Sequence, residues 1–229
     1  MQRLLIIQLL FVSCHIFGQS VNTDSLFEPK LRGTPYEFPL GYRGTPFYAD
    51  EWLKGDIMTS DGRQISNKLL RYDGYSDLLV WFREEDSLWV QLDPDFIQSF
   101  TLYRSNGSVA LFQKSPAVLN TGGRFVEFLA GDEYQVFVRR KVAVRGSENH
   151  KIEGKEYSFG VWQPQHEYFL LLPDHSSLRF RKINKRTVME PLPDNYYLVF
   201  DDFLRIGHLR LRNENDLIRL IQSINAGAK

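Results

Sequence analysis

The sequence predicts an α+β protein, a mainly antiparallel β meander or sheet followed by a C-terminal helical segment. Three observations carry that expectation. Over residues 52–112, short apolar runs are cut at near-regular intervals by Asp61-Gly62, Glu84-Glu85-Asp86, Asp93-Pro94 and Asn106-Gly107, all turn or hairpin signals. Over residues 134–144, apolar and polar side chains alternate with the period of a strand buried on one side. Beyond Asn184 the apolar spacing lengthens to three and four, the period of amphipathic helices. An open sheet, a sandwich and a barrel-like closure all fit these patterns.

The chain starts with a segment of another kind. Met1-Gln2-Arg3 is a positive start, residues 4–12 are apolar apart from Gln8, and Gly18-Gln19-Ser20 offers small or polar residues for cleavage. This is the three-part form of a secretory signal, too short to span a bilayer as a helix. Residues 1–19 are therefore expected to direct export to the periplasm or the cell exterior. Cys14, the one cysteine, lies within it. Phe11 stands where a lipoprotein signal usually has Leu, and His15-Ile16-Phe17 prolongs the apolar run, both of which disfavour a lipid anchor at Cys14. With the signal removed, neither a disulfide nor a thiolate ligand would remain.

Residues 20–50 read as an N-terminal arm kept irregular by Pro29, Pro35 and Pro39. Within it Arg32-Gly33-Thr34-Pro35-Tyr36 returns as Arg43-Gly44-Thr45-Pro46-Phe47, a turn expected to lay its aromatic ring on the first sheet. Residues 51–183 form the β-rich domain. Strands are expected over 52–58, 65–72, 78–82 and 88–92, the third covered on both faces because its apolar run is unbroken. Phe96, Ile97 and Phe100 are spaced like a turn of helix, so 94–100 is expected to be a short helical cross-over. Residues 109–112 return from the Asn106-Gly107 turn.

The longest strands are expected over 125–130 and 134–144, joined by Gly131-Asp132. In the second, Val136, Val138, Val142 and Val144 share a buried face, and Gln135, Arg139, Lys141 and Arg145 the wet one. Residues 146–154 read as a polar loop, 157–162 and 168–172 as a hairpin, and 178–183 as an edge strand. Residues 184–229 supply helices packed on the sheet: one capped by Asn184, one capped by Asp194 with Tyr197, Phe200, Phe203 and Leu204 on a face, and one opened by Asn213 and Asp216. The last carries the stripe Leu217, Ile218, Leu220, Ile221 and Ile224.

Lys plus Arg equals Asp plus Glu, at 28 each, so no overall field draws the chain to nucleic acid, and none is expected as a partner. Beyond the signal, His150, His166, His175 and His208 show no i, i+4 pair, and no Gly-x-Ser-x-Gly elbow or phosphate-binding glycine loop occurs. No cofactor, metal or catalytic residue is thereby assigned. The candidate binding surface is basic: Arg139, Lys141 and Arg145 on the wet face, with Arg140 beside them and a second set of Arg179, Arg181, Lys182, Lys185 and Arg186. Its expected partner is an envelope protein, glycan or lipid. Two other readings stand beside this binding or structural role. A barrel-like closure would suit a carrier of a small hydrophobic ligand, and His166 with His175, flanking one predicted strand, would suit a hydrolase.

The run Gly44-Thr45-Pro46-Phe47-Tyr48-Ala49-Asp50-Glu51-Trp52-Leu53-Lys54-Gly55, leading into Asp61-Gly62-Arg63 and Leu70-Arg71-Tyr72-Asp73, resembles a group of exported β-rich proteins of the Bacteroidota with no assigned activity. The run Leu211-Arg212-Asn213-Glu214-Asn215-Asp216-Leu217-Ile218 shares in that resemblance. It implies a bacterial envelope or secreted setting and carries over no catalytic residue.

Overall fold

The computed structural model describes residues 31–227; the expected signal and Cys14 lie outside the described residues. In chain order the strands are β1 (Gly33–Pro35), β2 (Tyr42–Arg43), β3 (Leu53–Thr59), β4 (Gln64–Asp73), β5 (Leu78–Arg83), β6 (Leu88–Leu92) and β7 (Ile97–Tyr103). There follow β8 (Val109–Lys114), β9 (Phe125–Gly131), β10 (Gln135–Arg139), β11 (Val142–Ile152), β12 (Lys155–Pro164), β13 (Glu167–Leu171) and β14 (Ser177–Phe180). Three helices close the chain, α1 (Lys185–Met189), α2 (Asp194–Ile206) and α3 (Glu214–Gly227). The α+β class is as the sequence predicts.

Eleven strands form one antiparallel sheet in the order β1-β6-β5-β4-β3-β7-β8-β9-β10-β13-β14, and β11-β12-β2 form a smaller one. The large sheet curls. Strands β4 and β8 are three spacings apart, about 14 Å in a flat sheet, yet the rings of Tyr72 and Phe112 meet at 4.8 Å. Phe100 stacks on Phe112 at 4.8 Å, and Phe125 closes on Phe100 at 5.3 Å. The concave side is filled by these rings, and the sheet stays open between β1 and β14, not closed into a barrel.

A second core lies under the helices. Val136, Val138, Tyr168 and Leu170 face Phe200, Leu217, Leu220, Ile221 and Ile224, while Phe137 and Phe169 pack on the opposite face with Leu119 and Val126. Asn225 pins α3 to the β9–β10 turn: its Oδ1 accepts from the backbone N–H of Glu133 (2.9 Å) and Tyr134 (3.1 Å), and its Nδ2 donates to the Tyr134 carbonyl (2.9 Å). Asn184 caps α1 through Thr187 N–H at 2.9 Å, and Asn213 caps α3 through Asp216 N–H at 3.0 Å. At α2 the cap position belongs to Pro193, with Asp194 the first helical residue. Phe200 and Leu204 are buried there, but Tyr197 is exposed.

Four further local expectations are corrected. The segment 97–103 is strand β7, not a helical cross-over: Ile97 pairs with Thr59 and Ser99 with Met58, so Gln98 is an extra residue. That bulge turns Ile97 and Phe100, three apart, to the same buried side and so imitates helical spacing. The expected 134–144 strand breaks at Arg140, so Val142 and Val144 belong to the small sheet, away from Val136 and Val138. Residues 146–154 are no loop but the outer half of the β11–β12 hairpin, whose polar composition reflects exposure on both faces. The segments 157–162 and 168–172 do not pair with each other; β12 pairs with β11 and β2, and β13 with β10 and β14.

The N-terminal repeat is absorbed into packing. β1 pairs with β6, and the rings of Tyr36 and Phe47, equivalent positions of the two copies, each lie 6.2 Å from Trp89. Phe47, Trp52 and Trp89 box the Arg71 guanidinium at 5.1, 4.8 and 5.7 Å, a cation–π arrangement.

Candidate functional site

Two ion clusters occupy the half of the large sheet that carries the helices. The first is closed. Where the chain leaves β10 for the small sheet, Arg140 turns inward and is 7% exposed. Its Nε donates to Glu127 Oε2 at 2.5 Å, and its Nη1 and Nη2 hold both oxygens of Glu214 at 2.5 and 2.9 Å. Arg104 donates to the other Glu127 oxygen at 2.8 Å and to the Tyr48 hydroxyl. Tyr168 donates to Glu214 Oε1 at 2.7 Å, and His166 Nδ1 faces Arg140 Nη1 at 3.0 Å. Two guanidinium groups thus meet two carboxylates across strand β9, the β7–β8 hairpin, the start of α3 and the N-terminal segment.

The pKa directions follow from that geometry. Burial pulls the Glu214 carboxyl upward, but contacts with His166, Arg140 and Tyr168 outweigh it and hold it well below the usual carboxylate range. Burial works against the Arg140 charge, and Glu214 and Glu127 reverse this and raise it. Burial, reinforced by Glu214, raises the Tyr168 hydroxyl.

The second cluster is open. Glu167, at the start of β13, is 2% exposed. Arg179 Nη2 and Arg181 Nη2 reach its Oε1 at 2.5 and 3.2 Å, and Arg139 Nη1 lies 3.7 Å from its Oε2. Register sets this up: Arg139 is the direct cross-strand neighbour of Glu167, and Arg179 faces Phe169 one strand further on. Burial pulls the Glu167 carboxyl up, and the Arg179 hydrogen bond with the Arg179 and Arg139 charges brings it below the ordinary range. Three guanidinium groups against one carboxylate leave two positive charges over. The side chains of Arg179 and Arg181 are 47% and 68% exposed, so that charge faces solvent.

The predicted surface residues are distributed differently from the expected single face. Arg139 belongs to the open cluster and also donates to the Thr121 carbonyl at 2.9 Å. Lys141 is half-buried in the crossover between the two sheets. Arg145 is exposed on β11 and meets the side-chain amide of Gln165. Of the second basic set, Arg179 and Arg181 join Arg139, whereas Lys185 pairs with Asp201 and Arg186 with Glu190. His166 sits in the closed cluster, and His175 in the turn at the far end of β13. No role is assigned from the sequence to Glu127, Glu167 or Glu214. A signal existed for the first two: one carboxylate inside Phe125-Val126-Glu127-Phe128-Leu129-Ala130, and one before Tyr168-Phe169-Leu170-Leu171-Leu172, must find a cation when its strand is buried.

Clefts flank the closed cluster on two sides. One, of about 340 Å³, is bordered by Tyr48, Glu51, Arg104 and Arg140. The other, of about 480 Å³, lies between the end of β14 and the start of α3. Among the described residues no three His, Cys, Asp or Glu side chains are grouped to hold a metal, and no helix is long and apolar enough to cross a membrane. Comparison with protein-family models, with curated proteins and with solved structures gives no match.

Proposed function

We propose that the protein is exported and works in the cell envelope as a non-enzymatic binding protein for a polyanionic partner, a glycan or lipid surface bearing phosphate, sulfate or carboxylate groups. The observation that carries this reading is the gathering of Arg139, Arg179 and Arg181 on the single carboxylate of Glu167. Glu167 fixes the cationic forks in place, and their unneutralised charge is presented at the exposed edge of the sheet. Arginine suits the role because its planar fork binds oxyanions bidentately and stays charged at any physiological pH. The export signal expected at the N-terminus favours an envelope polyanion over nucleic acid.

Titration of the full chain with dextran sulfate, against uncharged dextran, tests the reading. Binding to the sulfated polymer that weakens steadily with salt, and falls severalfold in an Arg179→Gln/Arg181→Gln variant, is the expected result. Equal binding of the two polymers, or none of either, would remove it. Cell fractionation with sequencing of the processed N-terminus checks the export half independently.

A further inference from the structure

The 480 Å³ cleft beside the closed cluster has a chemistry of its own. Arg181 and Ile183 come to it from the chain after β14, Arg212, Asn213 and Asn215 from the chain entering α3, and Tyr168 from β13. Glu214 also lines it, but both its oxygens already accept from Arg140, one of them also from Tyr168. The carboxylate is therefore neutralised within the wall. The Asn213 side-chain oxygen is likewise engaged by Asp216 N–H, which leaves its amide nitrogen to donate. The Arg212 guanidinium is exposed and has no hydrogen-bond or ion-pair partner among the described residues. Arg181 is mostly exposed and shares its one carboxylate with two other arginines.

What remains available in the cleft is two cationic forks, two amides and one apolar side chain. The volume lies near the lower end of the range for small-molecule sites, which fits one sugar rather than a chain of them. We propose that this cleft binds a sugar-sized ligand carrying a single oxyanion, a phosphate or a carboxylate, held by Arg181 and Arg212, with its hydroxyls on the amides of Asn213 and Asn215. This rests on the anion-binding reading above and narrows it to the terminal group of the partner.

The test is calorimetric titration of the full chain with glucose 6-phosphate, glucuronate and glucose at matched concentration. At least one charged sugar should bind and glucose should not. Binding of glucose 6-phosphate alone assigns the site to phosphate, and of glucuronate alone to carboxylate. Arg212→Gln should weaken the charged sugar about tenfold or more, as loss of a charge-assisted contact does, and Arg212→Lys should weaken it less. Arg212→Gln should leave dextran sulfate binding within about twofold, whereas Arg179→Gln should do the reverse. Dextran sulfate binding without any charged-sugar binding overturns the cleft and spares the surface; charged-sugar binding without dextran sulfate spares the cleft and removes the surface. Glucose binding as tightly as glucose 6-phosphate, or an Arg212→Gln variant that binds the charged sugar unchanged, also overturns the cleft.

Discussion

The two ion clusters lie on neighbouring strands and use the same residue types, yet they are built to opposite effect. Around Arg140 the charges balance, the groups come from six separate parts of the chain, and Arg140 and Glu127 are buried. Around Glu167 one buried carboxylate holds three arginines whose outer two face solvent. The difference is one of what each arrangement leaves unanswered. The closed cluster has no charge to offer and fastens the α3 end to the first half of the sheet; the open one has charge to offer and little to lose by giving it.

The sharpest way to break this comparison is to remove the centre of the closed cluster. Arg140→Met leaves Glu127 and Glu214 without their main cation, and denaturant unfolding should show a loss of about 3–5 kcal/mol, as for a buried pair deprived of one partner. Adding Glu127→Gln and Glu214→Gln in the same chain should recover part of it. A loss below about 1 kcal/mol for Arg140→Met would mean the cluster is hydrated and not closed.

Glu167→Gln should cost less, about 1–2 kcal/mol, because Arg179 and Arg181 can turn to water once released. The same variant should bind dextran sulfate more weakly, since the Arg179 and Arg181 forks are then no longer held in place. Tighter binding would show that Glu167 matters more as a neutraliser than as a positioner.

Acid probes the closed cluster through Glu214. The folded-state pKa of Glu214 is depressed, whereas an unfolded glutamate titrates near about 4.3. Its contribution to stability is therefore fully present above that pH and is lost as pH falls toward the folded value. Unfolding measured from pH 6 down to pH 2 should show this decline, and Glu214→Gln should flatten it while lowering stability at pH 6. An unchanged acid profile in that variant would place the sensitive carboxylate elsewhere. The smallest effect is expected for Arg181→Gln alone, whose side chain is 68% exposed and which leaves Arg179 and Arg139 on Glu167: within about 0.5 kcal/mol at neutral pH, with binding changed and stability hardly so.

Much of the fold was legible in the chain because its signals are local. Asp61-Gly62 and Asn106-Gly107 sit at hairpin tips with Gly62 and Gly107 at positive φ, and the Asn184 and Asn213 caps mark true helix starts. Misreadings arose where a local pattern had two causes. The Ile97 to Phe100 spacing suits a helix or a bulged strand, and the unpatterned polar run after Gly146 suits a loop or a hairpin wet on both sides. Of the candidate sites, the basic composition was visible, but its grouping was not: Arg139 belongs with residues forty positions on and not with Arg145 six away.

The sequence by itself determined the class of fold, the meander and the helical end, because periodicity, turn chemistry and capping act over a few residues. The curl of the sheet, the break at Arg140 and the assembly of the two clusters were decided only by tertiary structure. Glu127, Glu167 and Glu214 meet cations brought from positions 104 to 181, and nothing within a few residues of a carboxylate records which arginine will stand beside it once the strands have paired.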